Sequence, residues 1–285
     1  MTMPKFLIVK HVKTARQTYS DDWSKSSKTY KENGFYNWCL NSIKGKLRIL
    51  EIGCGVGHST IEIVRDNHIV VSIEENPYML DSAEKNLTDS KVDFKSIRRE
   101  NFVTTNFGYH VDYADINDSI DASTNVLIEG NILTDKKLQE WLMRNPPFDA
   151  VICWFMGVQS AIVENDDIQR DFDLFKYEPM RYRQCVHITL FKIGHIVLKT
   201  GGLINLIDRT QLFESDQQKA TTLETYREAF GVLGTSIDLC YIDQKEIDDP
   251  TKIRGVSIKM TQNNKVVESR PNMRFAITSM IGVKK

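Results

Sequence analysis

The chain has 285 residues, of which 41% are hydrophobic and 26% are charged, a composition typical of a folded globular protein. Its formal net charge is −1, so no overall field attracts it to nucleic acid or to a membrane surface. Its cysteines form no C-x-x-C pair and no apolar stretch approaches the ~20 residues of a membrane span, which argues against a zinc site and a transmembrane helix. We therefore expect a cytoplasmic protein that holds no metal and has no membrane partner.

The chain begins with an aromatic-rich segment and continues into a strand, a turn and a helix. Residues 1–46 include Trp23 and Tyr36, side chains that a helix packed on a sheet would bury. The apolar run 47–52 predicts a buried strand, and residues 53–57 read G-C-G-V-G. Glycine accepts a positive φ and lets a ligand approach the backbone, while the next helix directs its N–H groups and positive dipole end at that ligand. This unit predicts a site for a nucleoside-bearing cofactor.

A second buried strand places an acid at the expected distance from the glycines. Residues 69–73 read I-V-V-S-I and are followed by Glu74, and Pro77 then suits the first turn of a helix. In doubly wound folds, an acid about twenty residues beyond the glycine turn accepts hydrogen bonds from the cofactor's ribose hydroxyls. The spacing therefore favours Glu74 as the ribose-binding acid.

The glycine pattern distinguishes between two cofactor families. A dinucleotide fingerprint would place its third glycine at position 58, where this chain has His58. The observed E-x-G-C-G-x-G, together with S-I-E-E-N-P-Y-M-L at 72–80, resembles the class I (Rossmann-like) S-adenosylmethionine-dependent methyltransferases. The resemblance is strong over residues 47–87 and looser over 125–209. It implies S-adenosylmethionine as the cofactor, with NAD as the alternative that the glycine turn alone leaves open.

The resemblance also implies which residues bind the cofactor. The glycine motif would cradle the methionine part and the ribose, Glu74 the ribose, and Glu75 would lie beside the adenine. The segment G-N-I at 130–132 resembles the turn after the third strand, where this chain has an asparagine instead of the usual aspartate, and the end of the strand 148–155 would face the methyl group. The implied cofactor-binding residues are Glu51, Gly53, Cys54, Gly55, Gly57, Glu74, Glu75, Asn131, Ile132, Cys153 and Trp154.

The fold implied is α/β, a doubly wound, mostly parallel seven-stranded sheet with an antiparallel C-terminal edge strand. Residues 1–46 would form an N-terminal helical cap, and 47–285 the cofactor-binding domain. Two insertions interrupt that domain, at about 88–124 and 157–183. We expect the first to be a lid or a substrate-recognition element, and the second to contact the acceptor. Strands are predicted near 236–242, 255–261 and 273–283, with a turn at Asn263-Asn264 between the last two.

The function implied is methyl transfer to a small-molecule or peptide acceptor, because the near-neutral charge lacks the basic footprint of a nucleic-acid partner. No catalytic residue is assigned, although Tyr177, Arg181, Tyr182 and His187 are polar candidates. One alternative is a methyltransferase acting on a base or a protein amide through Asn145, which begins an Asn-Pro-Pro-Phe motif. That motif precedes its strand instead of following it, which places it at the opposite end of the sheet from the cofactor, and we expect it to end the helix over residues 136–144. Another alternative is a protein that binds S-adenosylmethionine without catalysis.

Overall fold

The structure is a computed structural model that describes residues 5–117, 120–145, 147–247, 260–262, 265–267 and 274–285. Its α-helices within that part of the chain are α1 Lys5–Glu32, α2 Phe35–Leu40, α3 His58–Arg65, α4 Pro77–Asp89, α5 Lys136–Arg144, α6 Asp166–Phe172, α7 Pro179–Val197 and α8 Asp216–Gly231. Its strands are β1 Arg48–Ile52, β2 Ile69–Glu74, β3 Lys95–Ile97, β4 Glu100–Thr104, β5 Tyr109–Tyr113, β6 Val126–Glu129, β7 Phe148–Trp154, β8 Leu198–Gln211, β9 Ile237–Ile247, β10 Met260–Gln262, β11 Lys265–Val267 and β12 Phe275–Lys284. Two short 3₁₀ helices lie at Asn41–Ile43 and Ser160–Glu164.

The main sheet has eight strands in the order β3-β6-β2-β1-β7-β8-β12-β9. The strands from β3 to β8 pair in parallel, whereas β12 runs antiparallel to both of its neighbours, β8 and β9. The predicted fold class, a mostly parallel doubly wound sheet with an antiparallel C-terminal strand, is confirmed. Two details differ from the prediction. The short strand β3 adds an eighth member, and β12 lies one place in from the edge because β9 pairs on its outer side.

The sheet is buried on both faces because helices cover it on both sides. Every residue of β1 is buried, as expected for the central strand of a parallel sheet. One core cluster includes Leu50, Val151 and side chains of α7 such as Leu190. The second cluster includes Ile49 and Ile152 together with aromatic side chains of α1 and α2. Alternate residues of a strand thus supply the two cores.

The two predicted insertions contain ordered elements. The segment 88–124 holds β3 and then the antiparallel pair β4–β5, in which Phe102 stacks on Tyr109. The segment 157–183 holds Ser160–Glu164, α6 and the start of α7. Tyr109 forms a bridge with Asn165, so the two insertions contact each other. Both lie close to α1, whose Arg16 pairs with Glu100 at 2.7 Å.

Two expectations involve the C-terminal region. Most of the strand predicted near 255–261, and the turn at Asn263-Asn264, fall outside the described residues. Just beside them, β10 and β11 pair antiparallel, with Gln262 opposite Lys265.

Within the described part of the chain, none of the helices combines the length and apolar character that crossing a membrane requires.

Candidate functional site

A pocket lies where four neighbouring parallel strands end. β1 ends at Ile52, β2 at Glu74, β6 at Glu129 and β7 at Trp154, and the carboxyl ends of parallel strands are where ligands bind in open α/β sheets. The space between the pocket walls, including the open solvent at its mouth, is about 590 Å³. Its walls are formed by Tyr19, Trp23, Ile52, Gly53, Gly55, Ile73, Glu74, Glu75, Asn76, Met79, Gly130, Asn131, Ile132, Phe155, Met156, Gly157, Gln159, Tyr182 and Val186.

The glycine turn forms the floor of this pocket at positions that exclude a side chain. Gly53 and Gly55 have φ of +76° and +57°, a region that side-chain-bearing residues rarely adopt. A Cβ on Gly53 would lie 2.8 Å from Cε of Met156, and one on Gly55 would lie 2.2 Å from Nε1 of Trp23. Only a bare backbone therefore fits between the sheet and the residues above it.

The carboxylate of Glu74 joins the glycine turn to the second strand. Its Oε2 accepts the N–H of Gly55 at 2.9 Å, and its Oε1 accepts the N–H groups of Glu75 and Asn76, each at 3.0 Å. Burial raises the pKa of Glu74 to about 7, with the neighbouring Glu75 raising it further and the three backbone donors opposing the shift. The acid predicted to bind ribose thus lies in the pocket wall, next to the glycines.

Glu75 and Asn131 are hydrogen-bonded to each other in the pocket wall. Nδ2 of Asn131 donates to Oε2 of Glu75, while Oδ1 of Asn131 accepts the N–H of Leu133 at 2.8 Å. Burial raises the pKa of the Glu75 carboxyl, and the nearby Arg16 guanidinium opposes that rise. Ile132 lies beside them in the wall. The structure therefore brings together the residues that the sequence assigned to the adenine.

Three other sequence-predicted residues lie behind the turn and do not line the pocket. Both carboxylate oxygens of Glu51 are engaged by hydroxyls, with Ser59 at 2.5 Å and Thr60 and Ser72 at 2.7 Å. Cys54 is buried in a small core with Ile61 and Leu80. Gly57 precedes α3, and a Cβ there would lie 3.2 Å from Cα of Ala83. Glu51, Cys54 and Gly57 therefore contact the protein interior behind the glycine turn and not the pocket.

Cys153 and Trp154 do not line the pocket either. Cys153 is completely buried, and Nε1 of Trp154 donates to Oδ1 of Asn205 at 2.7 Å inside the sheet layer. The reason is that the chain turns one residue later, at Phe155, whose φ is +58°. The residues after that turn, Phe155, Met156 and Gly157, form the wall instead.

The sequence did not identify the contribution of α1 to the wall. Tyr19 and Trp23 cover the pocket, and a Cβ on Gly157 would lie 1.8 Å from the Tyr19 hydroxyl. The helix is held in place by Asn76, whose Nδ2 donates to the carbonyl of Arg16 at 2.9 Å. The aromatic composition of residues 1–46 was the available signal, but it did not specify which rings face the pocket.

Gln159 is another wall residue that the sequence did not single out. It is 2% exposed, and its Nε2 donates to the Tyr109 hydroxyl at 3.5 Å. Its Oε1 is buried and has no hydrogen-bond partner among the described residues. An amide oxygen in this position is available to a ligand that donates an N–H or O–H.

The four polar candidates after β7 lie in different environments. Tyr182 is in the pocket wall, whereas Arg181 points to Asp173 at the surface and the hydroxyl of Tyr177 donates to the carbonyl of Val158 at 3.1 Å. His187 lies near Arg183 and Asp208, and burial lowers its pKa to about 4. His187 is therefore neutral at physiological pH.

Asn145 is the residue that follows α5, shortly before β7 begins. Its Nδ2 donates to the carbonyl of Trp141 at 2.8 Å, and Phe148 then begins β7. Asn145 therefore lies at the amino end of the strand, whereas the pocket lies at the carboxyl end.

In the described part of the chain, no group of three or more His, Cys, Asp and Glu side chains is arranged to hold a metal ion.

Comparison with known families gives a match over the N-terminal part of the chain. Residues 20–94 match the model of protein-L-isoaspartate(D-aspartate) O-methyltransferase. This range includes the part of α1 with Trp23, the glycine turn and Glu74. None of the curated proteins matches the chain.

Solved structures give weaker likenesses. The TomG O-methyltransferase from Streptomyces achromogenes, solved in complex with S-adenosylmethionine, is 13% identical, with a TM-score of 0.42 over 93% of this chain and 90% of that one. The precorrin-6y C5,15-methyltransferase from Geobacter metallireducens is 12% identical, with a TM-score of 0.40 over 87% and 88%. TrmN from Thermus thermophilus is 9% identical, with a TM-score of 0.40 over 84% of this chain. The chain spans only 44% of the TrmN structure.

Proposed function

We propose that this chain is a class I S-adenosylmethionine-dependent methyltransferase that transfers a methyl group to a small-molecule or peptide acceptor. The observation that carries the proposal is the contact between the glycine turn and Glu74, which forms a cradle for a nucleoside beside a carboxylate. The family match over residues 20–94 includes both parts of that cradle.

The residues present fit S-adenosylmethionine. Gly53 and Gly55 line the pocket, and the absence of a Cβ at each lets the side chains of Met156 and Trp23 lie directly over the turn. Glu74 is the proposed acceptor for the ribose hydroxyls, and Glu75, Asn131 and Ile132 are proposed to surround the adenine. Glu51, Cys54 and Gly57 are proposed to act from behind, by fixing the shape of the turn. Cys153 and Trp154 are proposed to set the path of the chain into Phe155.

The bound cofactor would supply an activated methyl group on a sulfonium, so the protein's contribution is positioning and the exclusion of water. Tyr19 and Trp23 of α1 close the pocket from above, and Phe155 and Met156 form the wall beyond β7. We propose that residues 1–46 serve as a cap on the cofactor-binding domain 47–285, and that the two insertions hold that cap. The Arg16–Glu100 pair joins α1 to the first insertion.

A small or peptide acceptor is favoured by the charges around the pocket. Among the residues that the structure describes, the wall contains Glu74 and Glu75 and no lysine or arginine, whereas a nucleic-acid acceptor requires basic contacts to phosphate. The alternative that uses Asn145 has no support from the placement of that residue at the amino end of β7. The other alternative, a protein that binds S-adenosylmethionine without catalysis, predicts cofactor binding without release of S-adenosylhomocysteine.

Calorimetry with S-adenosylmethionine tests the cofactor, and release of S-adenosylhomocysteine tests turnover with a small-molecule mixture, a peptide digest or total RNA as the acceptor source. The informative variant is Glu74→Gln, with Glu140→Gln on the exposed face of α5 as its matched control. Loss of charged hydrogen bonds should weaken cofactor binding about 10- to 100-fold in Glu74→Gln and leave the control unchanged. Absence of binding by the wild-type protein would refute the proposed cofactor, and turnover with RNA alone would refute the proposed acceptor class.

A further inference from the structure

One amide oxygen in the pocket wall is left open to a ligand. Gln159 lies in the wall segment that follows the chain turn at Phe155, and it is 2% exposed. Its Nε2 donates to the Tyr109 hydroxyl at 3.5 Å, whereas its Oε1 is buried and has no hydrogen-bond partner among the described residues. Leaving a buried amide oxygen without a donor costs stability, so a ligand that supplies a donor there gains from the contact.

The other wall amides have their oxygens occupied by the protein itself. Oδ1 of Asn76 accepts the N–H of Tyr78 at 3.1 Å, and Oδ1 of Asn131 accepts the N–H of Leu133 at 2.8 Å. These two side chains therefore fix the local backbone. Within the part of the chain that the structure describes, Gln159 is the wall amide whose oxygen can accept a hydrogen bond from a molecule in the pocket.

The wall residues that are not assigned to the cofactor carry no charge. Glu74 and Glu75 are the charged side chains among the described wall residues, and both are proposed to bind the adenosine part of the cofactor. Burial raises the pKa of the Tyr19 hydroxyl and of the Tyr182 hydroxyl, so both phenols stay neutral. A neutral wall that contains aromatic rings and one open amide oxygen suits a neutral ring compound with one N–H or O–H group.

The reaction narrows the chemistry of that donor group. A nucleophile that donates to an amide oxygen must also keep a lone pair for the methyl group, and a neutral amine does both with one nitrogen. An alkylamine resembles the lysine side chain, which is protonated near pH 7 and then has no lone pair, whereas an amine attached to an aromatic ring stays neutral. A hydroxyl would have to transfer its proton to a base, and neither an amide oxygen nor a neutral phenol is one.

We propose that Gln159 binds the methyl acceptor through its Oε1 and that this acceptor is a neutral aromatic amine. The inference rests on the proposed function, because it names the acceptor of the proposed methyl transfer. The amine nitrogen forms a bond to the methyl carbon as the carbon–sulfur bond breaks, and the electrons of the broken bond stay on the sulfur. The methylated nitrogen, which then carries a positive charge, releases one proton to water. Gln159 holds one N–H of the amine and so directs the lone pair of the same nitrogen.

Aniline, phenol and toluene are the probes, because the three rings have the same shape and carry NH₂, OH or CH₃ at one position. NMR titration measures the affinity of each for wild-type protein and for Gln159→Met, both saturated with S-adenosylhomocysteine. Methionine keeps the length of the side chain and lacks the amide. Gln217→Met is the matched control, because Gln217 is exposed on α8 and its Nε2 also donates to a hydroxyl at 3.5 Å, that of Thr221.

Aniline and phenol should each bind Gln159→Met about 3- to 10-fold more weakly than wild-type protein, which corresponds to the loss of about one neutral hydrogen bond. Toluene should bind the variant at least as well as the wild type, and Gln217→Met should bind all three probes as the wild type does. In turnover, aniline should release S-adenosylhomocysteine from S-adenosylmethionine and phenol should not. Aniline binding that is unchanged in Gln159→Met, or methyl transfer to phenol and not to aniline, would overturn the proposal.

Calorimetry with S-adenosylhomocysteine separates this inference from the proposed function. If the wild-type protein does not bind it, the proposed cofactor itself is refuted. If Gln159→Met weakens S-adenosylhomocysteine and leaves aniline unchanged, the amide serves the cofactor, and the inference alone is overturned. Turnover with a peptide digest and with no aromatic amine also overturns the inference and leaves the proposed function intact. Gln159→Leu replaces Gln159→Met in every measurement if the methionine variant does not fold, and the same outcomes decide.

Discussion

Replacing Gly55 with alanine should destabilise the protein through two separable effects. The first is conformational, because φ is +57° at this residue and an L-residue there costs about 1–2 kcal/mol. The second is steric, because the new Cβ would lie 2.2 Å from Nε1 and 2.7 Å from Cδ1 of Trp23. Forcing a half-buried indole aside costs roughly a further 1–3 kcal/mol.

Gly45 provides a matched control for the conformational effect. Its φ is +76°, and a Cβ there would have no atom within 4 Å, so Gly45→Ala should cost only about 1–2 kcal/mol. Urea unfolding of both variants, in wild-type and Trp23→Ala backgrounds, measures each cost as a shift in midpoint at constant slope. We expect the extra cost of Gly55→Ala to disappear when Trp23 is alanine. Equal costs for the two glycines in the wild-type background would refute the close contact between α1 and the glycine turn.

Three further predictions concern single side chains. Because burial raises the pKa of Glu74 from 4.5 to about 7, its contribution to folding stability is fully present below pH 4.5 and is lost as the pH rises through about 7. Cofactor affinity should instead rise with pH, by up to about tenfold per pH unit towards pH 7, because the ionised carboxylate is the stronger acceptor for ribose hydroxyls. Calorimetry should find this slope in the wild-type protein and not in Glu74→Gln. Asn205→Ala should cost about 2–4 kcal/mol in urea unfolding, because it leaves the buried indole N–H of Trp154 without its acceptor, and a cost near zero would contradict this. Asn145→Ala should leave cofactor binding and methyl transfer unchanged, and loss of transfer with intact cofactor binding would restore the alternative that uses Asn145.

The sequence predicted the central sheet because parallel strands buried on both faces are uniform apolar runs. The runs 47–52 and 69–73 coincide with β1 and β2 within a residue, and each is followed by the residue type that the site needs. The eighth strand β3 was missed for a physical reason. It has only three residues, two of them exposed, so it has no apolar pattern to recognise.

Site residues close to the glycine turn were predictable because chain spacing fixes them. Glu74 is the last residue of β2, and the pairing of Ile52 with Ile73 places it beside the turn. Residues brought from a distance had no such constraint. Tyr19 and Trp23 reach the site only through the packing of α1, which local periodicity does not encode. Trp154 was predicted to bind the cofactor because it ends the strand. The chain turns at the next residue, Phe155, whose φ is positive, so the residues from Phe155 onward line the pocket and Trp154 does not.

Asn76 has a consequence for the order of events in turnover. Its N–H donates to Glu74, its Oδ1 accepts the N–H of Tyr78, and its Nδ2 donates to the carbonyl of Arg16. Through its backbone N–H and its side-chain amide, Asn76 therefore connects Glu74, the start of α4 and the helix that covers the pocket. A ligand that accepted or donated a hydrogen bond at Glu74 would act on the same residue that anchors α1. If the proposed cofactor binds there, we expect it to bind before the acceptor, because its contact with Glu74 would also fix the position of the helix that covers the pocket.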